Sequence, residues 1–220
     1  MAISKKLETI YHNGQPDGIR SIRRNLSTMT VYVIPRPLLA EAKTISGINR
    51  PGIYYLINEN DDNKIAQIYV GQTRNGILRL DDHNRSKDFW NKAIMFLADN
   101  KTFSLDMISG LEKFAIIKAQ ESKRYKVENT VVPKYEIDEY DMASVEEIYD
   151  EIQFIMGTQG YKMDNVKSST SSDIFHTTRN GISALGIYDG EKFQVLEGSQ
   201  ININKPVHLA RYNKQRCLLY

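Results

Sequence analysis

The sequence predicts an α+β fold, because strand-like runs are interspersed with amphipathic helical patterns. Residues 52–57 (GIYYLI) and 65–70 (IAQIYV) are typical of strands, and the polar segment 58–64 between them predicts a β-hairpin with a long loop. A third strand is expected at 93–97 (AIMFL). Residues 105–120 carry apolar side chains at helical spacing, which predicts a helix packed on these strands.

Shorter elements are expected on both sides of this group. Residues 28–34 (TMTVYVI) predict a strand, and short helices are expected at 38–43 and 77–84. A longer helix is predicted to start at Ser144, after a polar and acidic linker at 134–141. Near the end of the chain, Asp189-Gly190 is a strong turn signal between apolar runs at 184–188 and 193–196, which predicts a second hairpin.

Composition places the chain among ordinary folded proteins. It has 220 residues and 41% hydrophobic content, enough for one core plus a small second unit. The single cysteine, Cys217, excludes an internal disulfide framework and fits a reducing compartment. No run approaches the roughly 20 apolar residues of a membrane helix, and the first residues lack the apolar centre of a secretory signal. We therefore expect a cytoplasmic protein.

Charge is distributed unevenly although the net charge is only +2. Residues 1–51 carry eight Lys and Arg against three Asp and Glu, residues 52–160 carry thirteen against nineteen, and residues 161–220 carry eight against five. Basic ends therefore flank an acidic middle, and the ends are better suited to neutralise nucleic-acid phosphates. The same imbalance is also within ordinary surface variation. The candidate phosphate-binding residues at the two ends are Arg20, Arg23, Arg24, Arg211 and Arg216.

Two tyrosine motifs lie on the predicted hairpin. Gly52-Ile53-Tyr54 lies on its first strand and Tyr69-Val70-Gly71 on its second. Arg79 and His83 follow at a spacing of four, so they share one face of the predicted helix. An arginine can clamp a phosphate oxygen and a histidine can move a proton near neutral pH. The alternative is structural: Arg79 pairs with Asp82, His83 ends a helix, and the tyrosines pack in half-buried strands.

Glu112 lies on the apolar stripe of the predicted helix at 105–120. Its helical neighbours are Ile108, Ala115 and Ile116, and a carboxylate in such surroundings is costly unless it is paired or binds a metal. A hard oxygen ligand with open water positions suits Mg²⁺. The alternative is a glutamate at the edge of the stripe that reaches solvent.

Together these residues, with Asn129 in a polar loop beyond them, resemble the GIY-YIG nuclease family over about residues 50–130. Individually they are weak signals, and their order along the chain is what carries the resemblance. Val70 stands where isoleucine is usual, and Gln72 stands where several members have Lys or Ser. Arg74 is a candidate replacement for that cation.

The resemblance implies a three-stranded antiparallel sheet flanked by helices, and a metal-dependent DNA endonuclease. It implies one Mg²⁺ or Mn²⁺ ion on Glu112, which receives the leaving oxygen. Tyr69 or Tyr54, with His83, would align or deprotonate the water, and Arg79 would stabilise the developing charge. Which tyrosine is the base stays open. The implied set of site residues is Gly52, Tyr54, Tyr69, Gly71, Arg79, His83, Glu112 and Asn129, with Arg74 on the DNA.

The chain is therefore expected to have four parts. These are an N-terminal extension at 1–49 with a strand and a short helix, a nuclease domain with a C-terminal helix at 50–160, a linker at 161–173, and a partial C-terminal domain at 174–220. The last part resembles a small domain of unknown function found behind bacterial nucleases of this family. That domain usually continues further, so we expect the chain to be a truncated form.

A non-catalytic module that binds nucleic acid or protein is the rival interpretation. The acidic residues between 134 and 151 favour a protein partner on that face, whereas the intact set Tyr69, Arg79 and Glu112 favours an enzyme. A cutter of duplex DNA often dimerises to reach both strands, but nothing in the sequence indicates an interface, so a homodimer is left open.

Overall fold

The computed structural model describes residues 4–58, 66–99, 103–163, 174–179, 181–188, 193–195 and 198–200. The chain divides into two units, Met1–Asn165 and Val166–Tyr220.

The first unit holds seven strands and four α-helices among its described residues. In chain order they are β1 (Leu7–Tyr11), β2 (Arg20–Arg24), β3 (Met29–Pro35), α1 (Leu39–Ala42), β4 (Gly52–Asn58), β5 (Gln67–Thr73), α2 (Leu78–Ser86), β6 (Lys92–Ala98), α3 (Leu105–Ser122), β7 (Lys126–Val127) and α4 (Glu139–Thr158). A 3-10 turn at Arg36–Leu38 precedes α1. No described helix is both long and apolar enough to cross a bilayer.

The seven strands form one sheet in the order β1-β2-β3-β6-β4-β5-β7. Its pairs are antiparallel except for the short parallel contact between β5 and β7. The expected three-stranded antiparallel sheet is its centre, where β4 lies between β6 and β5. Along β4 and β5, Tyr54 is opposite Gly71 and Leu56 is opposite Tyr69, which places both tyrosines on the same face.

Both faces of this sheet are buried, because its central strands are apolar at nearly every position. Helices α3 and α4 pack on one face with Tyr55, Phe96 and Ile116 in the core. Helices α1 and α2 pack on the other face, whose core includes Trp90 and Leu80. The α+β class predicted from the sequence is confirmed.

The N-terminal residues contribute more of the sheet than the sequence indicates. Strand β3 and helix α1 were expected, but β1 (LETIY) and β2 (RSIRR) were not, since Ile22 is the only buried residue in these two strands. Strand β3 pairs with β6 along seven residues, from Met29 opposite Ala98 to Pro35 opposite Lys92. The extension is thus part of the same sheet.

The predicted start of the long helix at Ser144 is wrong. Helix α4 begins at Glu139, inside the segment expected to be a linker. The side chain of Asp138 accepts a hydrogen bond from the Tyr140 backbone N–H at 2.9 Å and caps the helix. The acidic residues that were interpreted as a linker therefore form the start of the helix. Asp138 is its N-cap, and Glu139 and Asp141 lie in its first turn, where the helix dipole stabilises negative charge.

The second unit holds a three-stranded antiparallel sheet in the order β10-β9-β8. Its strands are β8 (Ile174–Arg179), β9 (Ile182–Tyr188) and β10 (Phe193–Val195). The predicted hairpin is the β9–β10 pair; its turn, Asp189-Gly190, lies outside the described residues. Strand β8 was not predicted, and the expected linker at 161–173 lies mostly outside the described part of the chain.

Candidate active site

Tyr54 crosses the sheet surface over Gly71. A Cβ atom at Gly71 would collide with the phenol of Tyr54, so the glycine of the second motif makes room for the tyrosine of the first. This packing leaves Tyr54 only 1% exposed. The two motifs are therefore one structural unit, joined across the β4–β5 ladder.

The Tyr54 hydroxyl is hydrogen-bonded to Nε2 of His83 at 2.6 Å. His83 is buried on helix α2, and burial, with the nearby charges of Arg79 and Lys87, lowers its pKa to about 4. Burial likewise raises the pKa of Tyr54, and the charge of Arg79 opposes that rise. Near neutral pH the pair is therefore a neutral phenol and a neutral imidazole.

Tyr69 is the half-buried member of the aromatic group. Its ring centroid lies 5.3 Å from that of His83 and 6.4 Å from that of Tyr54. Burial and the Glu112 carboxylate raise the pKa of Tyr69, while the Arg79 charge opposes the rise. Of the two motif tyrosines, Tyr69 is thus the one that solvent can reach.

Lys87 is a further residue of the site that was not predicted from the sequence. Its ammonium lies 4.5 Å from the centroid of the Tyr69 ring, within cation–π distance. Lys87 follows helix α2 directly, and its backbone N–H donates to the His83 carbonyl at 2.9 Å. Its spacing of four from His83 was the available signal that both residues lie on the same side of the helix.

Arg79 lies on the exposed side of α2, where it forms an ion pair with Asp82 at 3.0 Å. Asp82 also pairs with Arg85 at 3.0 Å. The pairing of Arg79 with Asp82, which was the structural alternative to phosphate binding, is therefore present in this structure. The same guanidinium also lies close enough to Tyr54, Tyr69 and His83 to influence their pKa values.

Glu112 approaches the site from the other side of the sheet, on helix α3. It is 9% exposed, and its Oε1 accepts a hydrogen bond from the Gln72 backbone N–H at 3.1 Å. Burial raises the pKa of Glu112, against the effects of Gln72 and Arg79. Gln72 is held in turn by Ser109, whose hydroxyl donates to its Oε1 at 3.3 Å. Gln72 thus joins the end of β5 to helix α3.

Asn129 takes the place of a missing strand partner. Its Oδ1 accepts from the Val70 N–H at 2.9 Å, and its Nδ2 donates to the Val70 carbonyl at 2.8 Å. The side chain thereby continues the edge of β5 beyond the two residues of β7. The structure places this amide on the backbone between Tyr69 and Gly71.

The three N-terminal arginines are not brought together as one patch. Ile22 faces the core under α3 and α4. Since successive residues of a strand alternate in direction, Arg24 lies on the same face of β2 as Ile22, and Arg23 lies on the opposite face. Arg23 pairs with Asp99 at 2.6 Å, and Arg24 with Glu151 at 2.8 Å. Arg20 lies on the same strand, Arg74 is exposed beside the site, and Arg211 and Arg216 lie outside the described residues.

The described geometry brings five of the predicted residues to one end of strands β4 and β5: Tyr54, Tyr69, Arg79, His83 and Glu112. They place two phenols, an imidazole, a guanidinium and a buried carboxylate near one another. Residues 50–136 match the family model of the GIY-YIG catalytic domain. Residues 50–136 are therefore identified as a GIY-YIG catalytic domain, a nuclease domain that indicates a nucleic-acid substrate.

Neither the curated proteins nor the solved structures gave a match to this chain. The family assignment therefore depends on the family model together with the geometry of the site.

GIY-YIG nucleases are generally dependent on a divalent metal. Among the described residues, no three His, Cys, Asp or Glu side chains converge as a complete ligand set. Glu112 nevertheless fits a metal with mainly water ligands, because it is a buried oxygen donor whose pKa is raised by desolvation. A cation beside it would offset the cost of keeping this carboxylate ionised.

Proposed function

We propose that the protein is a DNA endonuclease that hydrolyses phosphodiester bonds with a single divalent metal, Mg²⁺ or Mn²⁺. The observation that carries this proposal is the convergence of solvent-reachable Tyr69, Arg79 and buried Glu112 around the end of β5. Glu112 is the residue that would hold the metal. The bound ion would supply positive charge at the leaving 3′ oxygen.

Tyr69 is the proposed base, because Tyr54 is buried and already hydrogen-bonded to His83. Tyr69 acts from its phenolate form, which accepts a proton from the attacking water. The water oxygen bonds to phosphorus, the bond to the 3′ oxygen breaks, and that oxygen takes a proton from solvent. The charge of Arg79 favours the phenolate, against burial and the Glu112 charge, which together raise the pKa of Tyr69. The ammonium of Lys87 over the ring adds a second positive charge beside it.

Arg79 is proposed to donate to a non-bridging phosphate oxygen and to stabilise the charge that develops there. This requires the guanidinium to exchange its exposed Asp82 partner for the phosphate. His83 and Asn129 act as positioning residues: His83 holds Tyr54, and Asn129 holds the backbone on either side of Val70. A neutral His83 is not a proton donor near pH 7.

The test is cleavage of supercoiled plasmid DNA with Mg²⁺ and, separately, with Mn²⁺. We expect nicked or linear product from the wild type and a loss of at least about 100-fold for Glu112→Gln, since removing one charged transition-state contact costs a rate factor of this order. Glu121→Gln is the matched control, because Glu121 lies on the same helix in an exposed ion pair with Lys118. Lys87→Met should slow cutting by a similar factor at every pH below the pKa of Tyr69, because loss of the cation lowers the phenolate fraction by a constant factor there.

Other outcomes decide against the proposal. Equal cutting by wild type and Glu112→Gln would remove Glu112 from the mechanism. Cutting in the absence of a divalent metal would show that the reaction does not require one. DNA binding without cutting under any of these conditions would leave the rival, a binding module on a nuclease-derived fold.

The remaining parts of the proposal concern setting and partners. We propose DNA as the partner, a cytoplasmic location, and a bacterial or phage-like origin. We also propose that five arginines contact DNA phosphates: Arg20, Arg23, Arg24, Arg211 and Arg216. A DNA affinity that does not change with salt concentration would contradict these contacts. Sedimentation of the protein with and without a DNA duplex decides between a monomer and a homodimer.

A further inference from the structure

A cavity of about 470 Å³ opens beside Arg79, between the end of β5 and the start of helix α2. Its lining includes Arg74, Asn75 and Leu78. The volume falls in the range of about 300–1,000 Å³ that is usual for small-molecule sites. Because Arg79 lines both this cavity and the candidate active site, whatever binds here lies next to the phosphate that Arg79 would hold.

The wall formed by residues 73–77 is fixed by contacts within the protein. The Thr73 hydroxyl donates to the Gly76 carbonyl at 2.9 Å and accepts from the Asn75 N–H at 3.2 Å. Gly76 has a φ of 54°, and a Cβ atom there would collide with the backbone of Ile48. The Ile77 N–H also donates to the Ile48 carbonyl at 3.0 Å. The cavity is therefore preformed.

The charge around the cavity favours an anion. Asp82 is its acidic lining residue, and it is neutralised by two ion pairs, one with Arg79 and one with Arg85, each at 3.0 Å. Arg74 is exposed and adds a further positive charge. The two arginines that line the cavity, Arg74 and Arg79, outnumber its one lining carboxylate, which gives the net positive charge that suits a phosphate.

One lining residue is apolar and exposed. Leu78, the first residue of helix α2, is 49% exposed, whereas Leu80 on the same helix is fully buried. Leu78 thus presents an apolar surface among charged and amide side chains. The Asn75 amide is exposed beside it, whereas the Gln72 side chain is engaged by Ser109. An apolar surface, an amide and a cation together match the base and the phosphate of a nucleotide.

We propose that this cavity binds the nucleotide next to the scissile phosphate. Arg74 binds the phosphate of that nucleotide, Leu78 packs against its base, and Asn75 hydrogen-bonds the edge of the base. The inference rests on the proposed nuclease function and extends it, because it names residues that determine the position at which the DNA is cut.

The first experiment measures binding separately from cutting. A fluorescently labelled DNA duplex, and one of its strands alone, are titrated with the Glu112→Gln protein and with the same protein carrying a second substitution. Leu78→Ala should weaken binding about three- to tenfold, the loss expected when half of a leucine surface is no longer buried. Arg74→Ala should reduce the slope of log affinity against log salt by about 1.

Leu105→Ala is the matched control. Leu105 is the first residue of helix α3 as Leu78 is of α2, it is 45% exposed, and it does not line this cavity. Its replacement should leave the affinity unchanged, and Leu78→Met should retain most of it. Thermal melts check that each variant is folded.

The second experiment maps cut positions on plasmid DNA in an otherwise wild-type background. Asn75→Ala should flatten the base preference at the nucleotide next to the cut. If Leu78→Ala binds like Leu105→Ala, or if Asn75→Ala leaves the cut map unchanged, the inference is wrong even when the enzyme cuts. If the variants weaken binding as expected but the wild type never cuts, the binding site stands and the proposed endonuclease activity fails.

Discussion

At the residue scale, burial of His83 couples the candidate site to the stability of the protein. The imidazole is 4% exposed and hydrogen-bonded to Tyr54, and its pKa falls from an ordinary 6.5 to about 4. Between these pH values the unfolded chain binds a proton that the folded protein does not. The free energy of unfolding should therefore fall as the pH is lowered from 6.5 to 4.

The expected loss over this window is about 3 kcal/mol, at 1.36 kcal/mol per pKa unit. Urea unfolding at a series of pH values measures it. His83→Gln, which cannot titrate, is the comparison, because the buried carboxylates contribute equally to both curves. Parallel pH dependences for the two proteins would show that His83 does not remain neutral in the fold.

Gly71 provides a second test at this scale. Because a Cβ atom at Gly71 would collide with the Tyr54 phenol, Gly71→Ala should displace Tyr54 and destabilise the protein by about 1–3 kcal/mol. Plasmid cutting should fall with it. Gly157→Ala is the control, since a Cβ atom there meets nothing within 4 Å in helix α4, and a stability equal to or above that of wild type is expected. Equal melting curves for both variants would contradict the packing argument.

At the element scale, Arg36 holds helix α2 against the sheet. Its guanidinium donates to the Asn84 side chain at 2.8 Å, to the Asn84 carbonyl at 3.0 Å and to the Trp90 carbonyl at 3.0 Å, and it lies 4.7 Å from the Trp90 ring centroid. Trp90 in turn donates to the His83 carbonyl at 3.4 Å. A residue of the N-terminal extension thus secures the end of the helix that carries His83.

Arg36→Ala should lower the free energy of unfolding by about 1–3 kcal/mol, since the part-buried Trp90 carbonyl loses its donor and helix α2 loses its hydrogen bonds through Asn84. Arg36→Lys should restore only a small part, because an ammonium cannot reproduce the fork of donors. Arg85→Ala should change stability by less than about 1 kcal/mol, as expected for an arginine that is 76% exposed. Chemical denaturation compares the three variants, and equal losses for Arg36→Ala and Arg85→Ala would contradict this role.

These elements show which parts of the structure the sequence could predict. The strands that carry Tyr54 and Tyr69, and the helix that carries Glu112, were predicted because each has a local pattern of apolar residues. The short helix that carries Arg79 was predicted after the Asn75-Gly76 turn. The contacts of Lys87 with the Tyr69 ring and of Arg36 with Asn84 were not predicted, because each joins two residues that are far apart in the sequence. Strands β1 and β2 were missed because Ile22 is their only buried residue, so backbone pairing holds them in the sheet without an apolar pattern in the sequence.

At the scale of the whole molecule, the segment that matches the family model is smaller than the unit that folds. Residues 50–136 contain β4, β5, β6 and α3, but strand β3 pairs with β6 along its whole length and α4 packs against α3. A fragment of residues 50–136 would expose the edge of β6 and about half of the core on each face of the sheet. We expect it to be insoluble or unfolded.

A fragment of residues 1–165 should instead melt cooperatively, because it keeps both layers of helices on the sheet. Circular dichroism and soluble yield of the two fragments, expressed in parallel, measure the difference. A cooperative transition in the 50–136 fragment would show that the N-terminal strands are dispensable.

The pairing of β3 with β6 has a consequence for how this activity can be exchanged between proteins. Recombination that moved only the recognisable motif segment into a new gene would transfer the site residues without β3, the strand that pairs with β6. The transferable module is therefore larger than the signature by which it is recognised, and a fusion designed around the signature alone would fail at folding before its chemistry could be assayed.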